Sequence, residues 1–197
     1  METANLSLKG WDVLKVAVST GIVTAIITQL LTWLRELHKD KSANARIASY
    51  AALRLAVDLE GFSIACADAI SEAHLSQSSG GYAGRVHTKI PDLLPFPADV
   101  DWRALEPSIS AKILTIRNEI TVAQQSIDFW YEVDHDCVPN ACLDQLGLCG
   151  YRAWKTAVEL RKSYGLPPFD PTVLSWNVEE CLKKQNDVAI SKTAATE

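Results

Sequence analysis

The chain has 197 residues, 48% hydrophobic and 22% charged, with few Gly and Pro; that supports one packed core plus an appendage and excludes a disordered or low-complexity protein. Its net charge of −5 is uneven: residues 1–46 carry six Lys and Arg against four acids, and no Lys or Arg occurs between Arg117 and Arg152. The acidic remainder, about −7, repels a phosphate backbone and excludes nucleic acid as a partner, and five cysteines without a dense framework read as free thiols of a cytosolic body.

Residues 1–12 form a short N-terminal tail. The first element, 13–34, contains VAVSTGIVTAIITQLLTWL at 16–34, which has no charged side chain. Its mean hydropathy, about +1.7, sits near the threshold for a spanning helix. Trp11 and Trp33 are separated by roughly 33 Å in a helix, close to a hydrocarbon thickness of about 30 Å, and indole rings favour the two interfaces. A soluble helix of this length carries Glu, Lys or Arg on its wet face, whereas this one offers only Thr, Ser and Gln. A cleaved signal peptide has a shorter apolar region and a small-residue cleavage site. The stretch therefore reads as an uncleaved transmembrane anchor.

Ala17, Gly21, Ala25 and Gln29 recur at every fourth position, beside Thr20, Thr24 and Thr28. Residues four apart share a helix face, so these define one small, hydroxylic stripe suited to close helix–helix approach in lipid. Each Thr hydroxyl can also bond the carbonyl one turn back. The expected partners are the lipid bilayer and a second copy of the chain or another membrane protein. Residues 35–46 form a basic juxtamembrane segment. Arg35, Lys39 and Lys41 lie at its interface, and Lys/Arg asymmetry places the N-terminus outside and the C-terminal body in the cytoplasm, as at a bacterial inner membrane.

Residues 47–186 read as a helical bundle. Its first helix covers about Ala43–His74, with Ile47, Ala51, Leu55, Leu59, Phe62, Cys66, Ala69 and Ala73 advancing by three or four. Gly61 is its one internal weak point. The Gly- and Pro-rich segment 76–101 reads as a long, partly mobile connection, and Gly81–Gly84 lacks the Lys-Ser/Thr ending of a phosphate loop.

The second helix starts near Pro107 or Ser108 and ends near Tyr131. Ile109, Ile113, Ile116, Ile120, Ala123, Ile127 and Trp130 form a heptad stripe suited to coiled-coil-like packing against the first helix. A third helix covers Leu143–Tyr164, its spacing carried by Leu146, Gly150, Trp154, Ala157, Leu160, Arg161 and Tyr164 with some drift around the axis; Gly165 and Pro167 end it. Asp170-Pro171 reads as the start of a short fourth helix through Val173, Trp176 and Cys181, with a frayed tail at 187–197. The fold class is thus all-α: a single N-terminal transmembrane helix, then an antiparallel bundle of three long helices and a short fourth. The similar loops at 94–102 and 166–176 read as bundle closures rather than as an internal duplication.

One segment, DFWYEVDHDCVPNAC at 128–142, gathers potential metal ligands in Asp128, Glu132, Asp134, His135 and Asp136. It lacks the Gly and Glu of a calcium loop and any familiar zinc spacing, so an acidic helix end is the simpler reading and no cofactor is expected. His38, His74, His87 and His135 are scattered and fit no catalytic template. Cys66 reads as a small core hydrophobe, and Arg54, Asp58, Arg117, Glu119 and Arg161 as surface charge. The functional expectation is a membrane-anchored, non-enzymatic interaction or scaffold protein that self-associates through its membrane helix. A small metal-dependent helical enzyme using 128–136, and a wholly soluble bundle with 13–34 as a core helix, are the alternatives.

Overall fold

A computed structural model describes the backbone of residues 10–170 and 176–195, and within 10–43 the side chains of Thr28, Gln29, Thr32 and Trp33. The described residues form four α-helices and no strands: α1 (Gly10–Ser78), α2 (Pro107–Val133), α3 (Val138–Ser163) and α4 (Val178–Ala194). The chain divides into two units, 1–46 and 47–197.

In the first unit, Thr28, Gln29, Thr32 and Trp33 are exposed, and the Thr32 hydroxyl donates to the Thr28 carbonyl at 2.8 Å. That is the one-turn-back bond expected of a hydroxyl in an apolar helix. Among the described residues no helix is long and apolar enough to cross a membrane. The expected span at 13–34 falls largely on side chains outside the described residues. So do Trp11, Ala17, Thr20, Gly21, Thr24, Ala25, Arg35, Lys39 and Lys41.

In the second unit, the register of the helices follows from their polar contacts. Lys112 meets Glu159 and Glu119 meets Arg152, so α2 and α3 run antiparallel. Glu60 meets Arg161 and Ser63 donates to the Gly150 carbonyl, so the 47–78 part of α1 is also antiparallel to α3. Gln185 and Lys192 of α4 both reach Asp144 near the start of α3. A Cβ built on Gly147 would lie 2.8 Å from the Gln185 carbonyl carbon, and one on Gly150 2.7 Å from Leu182 Cδ2 and 2.8 Å from Cys66 Cβ. These two glycines let α3 approach both α4 and α1 closely.

It follows that the 47–78 part of α1 and α2 run parallel to each other, each antiparallel to α3. The connection between them runs antiparallel to both. Residues 79–106 reach up to roughly 90 Å when extended, enough to run back along the roughly 48 Å of helix between 47 and 78. Along α1 this strap pairs His87 with Glu72 at 2.7 Å and Asp99 with Arg54 at 3.7 Å. Along α2 it receives a bond from Arg117 at the Leu94 carbonyl and gives one from Ile90 N to Gln124 Oε1. Ile90, Val100 and Leu105 are buried, and Leu93, Phe96 and Trp102 pack against the core. Past the end of α1, the Gly- and Pro-rich composition at 79–101 thus marks a chain without regular structure that is nevertheless part of the core.

The α2 stripe is buried at Ile109, Ile113, Ile116, Ala123 and Ile127, whereas Ile120 is partly covered and Trp130 is 36% exposed. Ile47 is likewise exposed. Helix ends are chemically specified. At the end of α1, Gly80 (φ +64°) is followed by a bond from Gly81 N to the Ser76 carbonyl. At the end of α3, Gly165 (φ +63°) is followed by one from Leu166 N to the Arg161 carbonyl. Both are left-handed closures that glycine adopts without a Cβ penalty. The fourth helix starts at Val178 rather than near Pro171, capped by Asn177 Oδ1 accepting from Glu180 N at 3.0 Å; residues 171–175 lie outside the described ones. The tail at 187–194 is helical, not frayed, because Leu182, Gln185 and Ala189 are buried and Lys192 holds Asp144 at 2.8 Å.

Candidate binding site

The last three turns of α3 carry Trp154, Val158, Arg161 and Lys162, and the loop after the Gly165 closure brings Leu166, Pro168 and Phe169 back over them. Together with Glu60 of α1 they line a half-open cavity of about 270 Å³. Glu60 and Arg161 are 7% and 11% exposed at their side chains. Their contact is bidentate: Arg161 Nε and Nη2 donate to the two Glu60 carboxylate oxygens, and Nη1 donates to the Pro167 carbonyl at 2.8 Å. The hydrogen bonds to Glu60 hold the Arg161 pKa above its already high ordinary value, against the opposing effect of burial. The guanidinium is therefore charged at every ordinary pH.

Aromatic rings form the cavity walls. Trp154 and Phe169 have centroids 6.0 Å apart at a 58° tilt, and the Arg161 guanidinium carbon lies 5.9 Å from the Phe169 centroid. Trp154 is 3% exposed, and among the described residues its buried indole N–H has no hydrogen-bond partner. Such an unmet donor costs about 1–3 kcal/mol.

Neither Glu60 nor Arg161 stood out in the sequence as a site residue, and Arg161 reads there as surface charge. A signal exists nonetheless. Glu60 sits in register with Ala56 and Ser63, and Arg161 with Trp154 and Ala157, so each helix places a charge of opposite sign on its apolar face.

The acidic segment is arranged differently. Asp128 and Glu132 are exposed near the end of α2, and Asp128 accepts from Gln124 Nε2. Asp134 caps the next turn, accepting from Asp136 N at 3.1 Å and from the Cys137 thiol at 3.1 Å. The His135 ring lies 4.3 Å from that of Tyr131. Among the described residues no group of three or more His, Cys, Asp or Glu is placed to hold a metal ion. Asp128, Glu132, Asp134, His135 and Asp136 are all exposed, and Asp134 caps the turn.

All five cysteines are free. Cys66 is fully buried, and burial foremost, with Cys149 and Cys142 nearby, pushes its thiol well above the usual range. Burial pushes Cys142 up to about 11 and Cys149 up to about 12, with Glu119 adding to the latter and Arg152 opposing. These thiols are core hydrophobes, not nucleophiles. A larger open groove of about 810 Å³ runs between α2, α3 and α4, past Val122, Leu148, Arg152 and Ile190.

The described residues thus form an all-helical bundle with a crossover strap and a charged, aromatic-walled cavity at the end of α3. Compared with known proteins, the chain matches no family model, no curated protein and no solved structure.

Proposed function

We propose that the protein is a single-pass, membrane-anchored helical interaction protein. In this reading residues 13–34 cross the bilayer, the N-terminus lies outside, and the bundle at 47–197 faces the cytoplasm. The observation that carries it is the uncharged stretch at 16–34, bounded by Trp11 and Trp33 and followed by Arg35, Lys39, Lys41 and Arg46. Exposure of Thr28, Gln29, Thr32 and Trp33 supports it, as does the Thr32 hydroxyl satisfied within its own helix. A Thr that bonds one turn back presents little unmet polarity to lipid.

Self-association runs through the Ala17, Gly21 and Ala25 stripe, where small side chains let two backbones approach. The basic flank adds about 1 kcal/mol per residue against anionic headgroups. Alkaline carbonate extraction tests the anchor: the chain stays with the membrane pellet, and release into the supernatant refutes the span. Crosslinking in membranes tests the stripe. Gly21→Leu abolishes the dimer band while leaving extraction unchanged, and an unaltered band removes the stripe from the proposal.

A further inference from the structure

We propose that the cavity between the end of α3, Glu60 and the 166–169 loop binds a small anionic molecule with a planar or apolar body, such as an aromatic or medium-chain monocarboxylate. The proposal is independent of the membrane anchor. It rests on how much of the site's polar capacity is already used and on how much is left.

Arg161 has five N–H groups, of which Glu60 and Pro167 take three. Among the described residues two N–H groups are left over on a guanidinium that lines the cavity. The lining carries one carboxylate, Glu60, and two cations, Arg161 and Lys162, so its net charge is positive. Glu60 accepts on both oxygens from Arg161, so its charge is opposed within the pair and the Lys162 charge is in excess. Lys162 is exposed at the rim, well placed to draw in an anion. Among the described residues the Trp154 indole N–H is a further buried donor without an acceptor. The side-chain N–H groups left over here sit beside an excess of positive charge, which selects an anionic ligand over a cationic one.

Size and wall chemistry set the rest of the molecule. An apolar cavity of about 150 Å³ holds benzene, so about 270 Å³ accommodates a fused pair of rings or a short acyl chain. Trp154 and Phe169 supply two tilted aromatic faces 6.0 Å apart between centroids, with Val158, Leu166 and Pro168 completing an apolar lining. In this arrangement the ring packs on Trp154 and Phe169 while the carboxylate accepts from the two spare Arg161 N–H groups and faces Lys162.

The test is calorimetric titration of 2-naphthoate and octanoate into the full-length chain in lipid nanodiscs, with the signal from empty nanodiscs subtracted and 2-naphthylmethanol as the neutral match. Saturable one-site binding of an anionic probe is expected, with the alcohol weaker. Lys162→Glu lowers affinity about tenfold through charge reversal at the rim. Val158→Trp starts from a position that is 44% exposed, fills the cavity and abolishes binding. If that variant melts early, Phe169→Ala, at a 37% exposed loop position, removes one wall and gives the same loss. Absence of saturable binding by both anionic probes overturns the proposal. So does binding that survives both Val158→Trp and Phe169→Ala, and equal affinity for the alcohol overturns the anionic assignment.

Discussion

Replacing Glu60 with Leu tests whether the buried pair is a structural necessity or an expensive feature. The two residues interact at 2.8 Å between Nη2 and Oε2, where an effective dielectric of about 20 gives a gross attraction of about 6 kcal/mol. Desolvating each ion costs several kcal/mol, so the intact pair adds little net stability. Removing Glu60 alone is different, because Arg161 stays buried with only the Pro167 carbonyl as partner. The expected loss is about 3–5 kcal/mol, a large share of the 5–15 kcal/mol that holds a typical domain together. With a urea slope of about 2 kcal/mol/M, the midpoint followed by circular dichroism falls by about 2 M. The double variant Glu60→Leu/Arg161→Met removes both charges and fills the space with apolar atoms, and it recovers to within about 1 kcal/mol of the parent. A single variant costing under about 1 kcal/mol, or a double variant worse than the single, refutes this account. The double variant also loses naphthoate binding while folded, which separates the ligand role of Arg161 from its structural one.

Gly147→Ala and Gly61→Ala move stability in opposite directions. A Cβ at 147 meets the backbone of Gln185 and Asn186 within 2.9 Å, whereas one at 61 meets nothing within 4 Å. Thermal melts should show a loss of about 1–3 kcal/mol for the first and a gain of about 0.5–1 kcal/mol for the second. Stability also declines in alkali. Cys66, Cys142 and Cys149 have folded pKa values raised above those of free thiols, so their contribution is intact below pH about 8.5 and is lost as pH rises through 11 to 12. Urea midpoints measured from pH 8 to 11 should fall, and Cys149→Ala should flatten that slope; an unchanged slope argues against a thiol origin. EDTA leaves the melt unchanged if the segment 128–136 is only a capped turn, and a shifted melt restores the metal reading.

The all-α class and most of the core of α1, α2 and α3 were legible as periodicity, because a helix that buries one face must repeat its apolar residues every three or four positions. The Gly165 stop was legible for the same local reason, since only glycine adopts that closure cheaply. What local pattern does not carry is which surfaces meet. The strap at 79–106 has no period, and only the packed structure shows Ile90, Phe96 and Val100 lying along two parallel helices. The tail at 187–194 looks polar in isolation, and it becomes a helix because Gly147 lets it seat on α3. The cavity depends on the same kind of fact. Glu60 and Arg161 are 101 positions apart in the chain, and each by itself is an odd charge on an apolar face. Their meaning as a pair, and the donors left beside Trp154 and Phe169, exist only once α1 and α3 are brought together antiparallel.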